Sequence, residues 1–114
     1  MKFRVEMLAF EDARGSAGFR EVEVPDTEAT AAREEGVDAL LERIFYWGQN
    51  DFQPKAFPSV SVGDVVYLTT VGGGTRYFLV SGVGFTELTA ESYQRYKEMT
   101  PDDRRMYGLK GGNS

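Results

Sequence analysis

Residues 41–88 read LERIFYWGQNDFQPKAFPSVSVGDVVYLTTVGGGTRYFLVSGVGFTEL, and the order of signals in this stretch decides the fold. An aromatic-ended helix comes first. A connector over residues 49–60 follows, with two prolines and no clear period. Residues 61–70 read as a strand entered through Gly63-Asp64, a pair that makes a turn whose carboxylate accepts backbone N–H bonds. Residues 75–81 read as a second strand, and Val71-Gly-Gly-Gly-Thr75 between them as a tight hairpin. Val65 and Tyr67 oppose Val66 and Leu68 across the first strand, and Tyr77 and Leu79 oppose Phe78 and Val80 across the second. Strands apolar on both faces belong in the middle of a sheet.

Upstream, residues 2–10 alternate at period two, with Phe3, Val5, Met7 and Ala9 on one face and Arg4, Glu6, Leu8 and Phe10 on the other. Small, turn-forming residues 11–18 lead to a second alternating run over 19–24, giving a hairpin with a longish loop. Pro25 stops that strand. Asp26 and Thr27 are cap candidates for residues 28–35, which are good helix formers. Gly36 divides this loose lead-in from a firm helix over 37–47. There Val37, Leu40, Leu41, Ile44 and Phe45 make one apolar stripe, and Gly48 fits a left-handed C-terminal cap.

Downstream, Gly82 and Gly84 end the strand. Thr89 caps a helix over 90–99 with Leu88, Tyr93, Tyr96 and Met99 on its packing face. Thr100-Pro101-Asp102-Asp103 starts a short helix that Gly108 ends. The expected fold is α+β, with about four strands in a mainly antiparallel sheet of two hairpins. The 37–47 helix crosses one face, and the C-terminal helices cover an edge or part of that face. One domain is expected over 1–108, with 109–114 a flexible tail.

The 114 residues include neither cysteine nor histidine. A disulfide framework, thiolate chemistry and the usual neutral-pH base are therefore excluded, and no catalytic residue, metal site or cofactor is expected. Charges at positions 2, 4 and 6 do not fit a signal peptide, and no apolar run is long enough for a membrane span, so a cytoplasmic protein is expected. The net charge of −5 opposes a direct electrostatic grip on nucleic acid or anionic lipid. Residues 1–51 carry 12 acids and 6 bases, whereas residues 52–114 carry 6 acids and 7 bases, so an acidic half stands next to a near-neutral one.

The ordered block Phe45, Asn50, Phe52, Pro54, Ser59, Ser61, Val62, Asp64, Val65, Val66, Tyr77, Phe78, Val80, Gly84 and Phe85 resembles the YodL-like domain, a small module of plasmid, phage and conjugative-element proteins. The likeness covers under half of the chain. Gly63 stands where that family often has Ser, so no hydroxyl-dependent role is carried to this position. The resemblance implies a mobile-element setting. It fits a non-enzymatic module that acts by protein–protein contact, as an accessory or counter-defence factor of the anti-restriction or anti-CRISPR kind. Tyr46 and Trp47 lie off the apolar stripe, and exposed Tyr and Trp are typical interface anchors. With Asn50, Phe52 and Gln53 they form the expected partner-binding set. The structural alternative packs Trp47 on the connector, against Phe52 or Phe57.

Two other readings stay open. The carboxylates of Glu6, Glu21, Glu23, Glu34, Glu35, Asp38 and Glu42 could imitate a phosphate backbone, giving an acidic DNA-mimic inhibitor of a nucleic-acid-binding enzyme. The strand-entry string Val62-Gly-Asp-Val-Val66 also resembles that of PUA-like nucleic-acid-binding modules. Gly72-Gly73-Gly74 is not a phosphate loop, because no helix and no Gly-Lys-Ser/Thr follows it.

Overall fold

The computed structural model describes residues 1–8, 18–49, 60–69, 72–82 and 84–109. In chain order these form β1 (Lys2–Glu6), β2 (Phe19–Glu23), α1 (Asp26–Glu35), α2 (Val37–Trp47), β3 (Val65–Thr69), β4 (Thr75–Ser81), β5 (Gly84–Leu88), α3 (Ala90–Glu98) and α4 (Pro101–Leu109). The class is α+β, as the hydrophobic periods imply. Among the described residues the sheet is antiparallel throughout and open, ordered β2-β1-β3-β4-β5, with β3 at its centre.

The alternation of β1 places Phe3 and Val5 on one face, opposite Val22 and Arg20 of β2. Val66 and Leu68 of β3, with Phe78 and Val80 of β4, continue that face. Leu40, Leu41 and Ile44 of α2, with Ala29 and Ala32 of α1, cover it. The other face carries Val65, Leu79 and Leu88 with Leu8, packed on Tyr93 and Tyr96 of α3 and flanked by Tyr67, Tyr77, Met99 and Tyr107.

Several expectations change. The sheet has a fifth strand. Gly84 adopts φ 133°, the Ser81 hydroxyl donates to the Gly84 carbonyl at 3.0 Å, and the chain reverses so that Gly84–Leu88 pairs along β4. The Gly82 and Gly84 stop signal is therefore a turn into another strand. The C-terminal helices pack on the sheet face opposite α2 and do not share its face, because Leu79 and Val65 need their own cover. β3 begins at Val65 and not at Ser61. Before it, the Ser61 N–H donates to Asp64 Oδ2 at 2.9 Å in a local turn, with Gly63 at φ 104°.

The lead-in is a full helix, α1, and Gly36 at φ 130° joins it to α2. Neither Asp26 nor Thr27 caps α1. Pro25 holds that position without a side-chain bond, and Asp26 instead meets the Met1 amino group at 2.7 Å. Thr89 does cap α3, accepting the Ser92 N–H at 3.0 Å. Gly48 has φ −77°, so it is no left-handed cap. Its role is proximity, since a Cβ there would sit 2.5 Å from Val60 Cγ2. Gly108 lies inside α4, where a Cβ would approach Val62 Cγ1 to 3.2 Å, and its carbonyl accepts the Gly82 N–H at 2.9 Å.

Candidate binding surface and buried polar network

The end of α2 presents three consecutive aromatics in three environments. Phe45 is half-buried against the core. Tyr46 is 47% exposed. Trp47 is half-buried, and its indole N–H donates to Glu28 Oε1 of α1 at 3.4 Å. Arg43 donates to the same oxygen at 3.2 Å, and its guanidinium lies 5.5 Å from the Tyr46 ring centre. Tyr46 and Trp47 meet edge to face at 5.6 Å. The helical turn thus ties Trp47 back to α1 and leaves Tyr46 outward.

Beside Tyr46 is an apolar concavity of about 460 Å³. Phe45 and Tyr46 form one wall, and Val62, Val80 and Phe85 form the other. Gln49 closes one side. Its amide donates to the Phe45 carbonyl at 2.8 Å and to the Val60 carbonyl at 3.2 Å. The concavity abuts β5, an edge strand of the sheet. An open edge offers backbone donors and acceptors to an added strand, and an apolar groove beside it takes that strand's side chains. Of the expected partner-binding set, the structure brings Tyr46 and Trp47 side by side. Asn50, Phe52 and Gln53 lie outside the described residues, as does Phe57. Sequence reasoning missed Phe85, Val62 and Val80, which only tertiary packing brings to Tyr46.

The acidic set divides. Glu21, Glu23, Glu34, Glu35, Asp38 and Glu42 are exposed, but Glu6 is 5% exposed. Glu6 therefore belongs to no acidic surface. On β2, Glu21 stands opposite Arg4 and Glu23 opposite Lys2, so each carboxylate has a cation as cross-strand neighbour. The α1 and α2 acids lie in the other layer.

Glu6 instead anchors a buried network. Its Oε1 accepts the Tyr93 hydroxyl at 2.7 Å, and Lys97 Nζ lies 3.6 Å from Oε2. The Tyr93 and Tyr67 hydroxyls share a hydrogen bond. Tyr77 stacks on Tyr93 at 4.2 Å, and Tyr67 meets both rings edge-on. Burial, reinforced by these partners, pushes the Tyr93 phenol far above its ordinary range. Burial does the same to Tyr96, whose hydroxyl donates to the Gly63 carbonyl. Such phenols keep their protons and act as hydrogen-bond donors rather than as bases. Three more charged groups are buried among the described residues, Arg20, Asp64 and Arg104. Desolvation lowers the guanidinium pKa values of Arg20 and Arg104, while Asp64 opposes the effect at Arg20 and Glu6 opposes it at Arg104. The signal for this network was the Tyr93 and Tyr96 stripe, whose polar tips need buried partners.

No helix among the described residues is long and apolar enough to cross a membrane. Compared with known proteins, the chain matches no family model, no curated protein and no solved structure.

Proposed function

We propose that the chain is a non-enzymatic protein-binding module, and that the Tyr46 groove beside β5 is its contact surface. One observation carries the reading. A large aromatic side chain stands 47% exposed over an apolar concavity beside β5, the edge strand of the sheet among the described residues. An extended segment of a partner would add along β5 and place an apolar side chain between Tyr46 and Phe85. The absence of histidine and cysteine supports a binding role over a catalytic one. The resemblance to the YodL-like domain extends this reading to a cytoplasmic accessory or counter-defence factor of a bacterial mobile element.

The acidic-decoy reading is weaker, because Glu6 is buried and the β2 acids face cations. The PUA-like reading has only the strand-entry string behind it, and that string here opens the central strand of an open sheet.

Photo-crosslinking from position 46 in the producing cell tests the proposal. One dominant protein adduct is expected from position 46, none from Met106 on α4, and loss of partner retention in Tyr46→Ala at an unchanged melting temperature. No adduct from position 46, or the same adducts from both positions, overturns it.

A further inference from the structure

A second concavity has the opposite character. The described ladder between β1 and β3 covers Arg4↔Tyr67, Val5↔Val66 and Glu6↔Val65. Beyond Arg4 the partners separate. Lys2 and Phe3 pair with β2, while Leu68 and Thr69 pair with β4. A cleft of about 620 Å³ lies where these strand ends diverge, beneath Arg33 of α1 and Val37 and Leu40 of α2. Residues of both strand parities line it, as expected for a gap between strands.

Its apolar lining is Phe3, Val37, Leu40 and Leu68. Its charged lining is Lys2, Arg4, Arg33 and Arg76, and no carboxylate is among its described walls. The four cations are not equally satisfied. Arg76 is held by both oxygens of Glu87 at 2.8 Å, and Lys2 reaches Glu21 at 4.0 Å. Arg4 and Arg33 have no carboxylate partner among the described residues. Arg4 lies over the Phe19 ring at 4.2 Å and Arg33 over the Phe3 ring at 5.8 Å. A guanidinium stacked on an aromatic face keeps its in-plane N–H fork for an anion. Arg4 has Glu21 as its cross-strand neighbour without an ion pair, which leaves Arg33 as the main anchor for an anion among the described walls of the cleft.

We infer that this cleft binds a small organic anion, its phosphate or carboxylate head held by Arg33 and the neighbouring rim cations and its apolar body resting on Phe3, Leu40 and Leu68. The volume is that of a small-molecule pocket, lined mainly by apolar groups with a few charges that orient the ligand. A polyanion is a poor fit, because the rest of the surface repels it.

Amide-resolved NMR titration of the full chain tests this with phenyl phosphate and with benzoate, against benzyl alcohol and inorganic phosphate. Saturable shifts are expected at Phe3, Arg33 and Leu68 with at least one aromatic anion, and none with the neutral alcohol. If only the phosphate works, the head group is assigned as phosphate. If only benzoate works, it is a carboxylate. Arg33→Glu and Arg33→Gln, both at an exposed helical position, are to weaken binding by roughly tenfold or more, the least a hydrogen bond to a charged group is worth. Arg95→Glu on α3 is to leave it unchanged. Absence of saturation with both anions, equal binding by the neutral alcohol, or equal loss in Arg95→Glu overturns the inference.

Discussion

The two faces of one sheet are covered by different chemistry. Under α1 and α2 the buried layer is mainly aliphatic, from Val5 and Val66 through Leu41 and Ile44, all at 0% exposure, with Phe3 and Phe78 among them and the buried Arg20 opposite Val5. Under α3 and α4 the layer is built on tyrosines, with Glu6 at its heart. An aliphatic layer is non-directional, and its strength scales with buried area. A tyrosine layer adds bonds that count only when every partner is in place, since an unmade buried hydrogen bond costs more than a made one returns. The first face therefore tolerates shape-conserving exchange. The second specifies one arrangement of α3 on the sheet.

The largest effect is expected on the aliphatic side. Ile44 is fully buried at the middle of the α2 stripe. Ile44→Ala removes three methyl or methylene groups and leaves a void that the rigid β3–β4 centre cannot close. Urea denaturation is to show a loss of about 3 kcal/mol. Ile44→Leu is to cost about 1 kcal/mol. Equal losses for the two would mean that the face is shape-specific, and the contrast between the faces would fail.

Glu6→Ala is the matching cut on the tyrosine side. It removes the charged acceptor of the Tyr93 hydroxyl, which keeps Tyr67 as its remaining partner, while Lys97, 38% exposed at its side chain, regains water. The expected loss is about 2 kcal/mol, mostly the lost hydrogen bond to a buried carboxylate. Adding Tyr93→Phe to Glu6→Ala is to recover part of it, because both partners are then removed. A double variant that is additive instead would mean that the bond contributes nothing.

How far these faces were legible before the structure depends on range. The α2 stripe, β4 and the Thr89 cap follow from neighbouring residues, and each appears where the periods place it. β5 was hidden because Gly82 and Gly84 signal a stop as readily as a reversal. Only pairing with β4 decides between them. Alternation gives the two faces of β1, yet it does not say which helix covers which face, so in sequence alone Glu6 falls among the candidate surface acids. Gly48 and Gly108 look like helix ends in one dimension. Their contacts with Val60 and Val62 exist only in three. At the candidate surface, the outward position of Tyr46 was readable from the stripe, whereas the opposing Phe85 and Val80 were not.

The tyrosine face also carries a pH dependence in the alkaline range. The phenols of Tyr67, Tyr93 and Tyr96 are raised above their ordinary value of 10.0, chiefly by burial. The unfolded chain ionises them near pH 10 and the folded chain does not. Their contribution is complete below about pH 10 and is lost as pH rises beyond it. Tyr96→Phe is to cost about 1 kcal/mol at neutral pH, through loss of the bond to Gly63. Its stability is then to fall less steeply than the wild type's between about pH 10 and 11. Parallel slopes would show that Tyr96 ionises as freely in the fold as outside it.

The smallest effect is expected where a polar pair sits on the aliphatic face. Arg76 stands opposite Leu68 on that face, yet its guanidinium binds Glu87 at the rim, with the two side chains 39% and 46% exposed. The bidentate geometry raises the Arg76 pKa and lowers that of Glu87, each through its bond to the other. Water and salt screen both charges, so the geometry does not translate into stability. Arg76→Ala is to shift the melting temperature by no more than about 2 °C, at low and at high salt alike. A fall as large as that of Glu6→Ala would mean that the aliphatic face, too, is held by directed bonds. The division between the two layers would then be one of composition and not of mechanism.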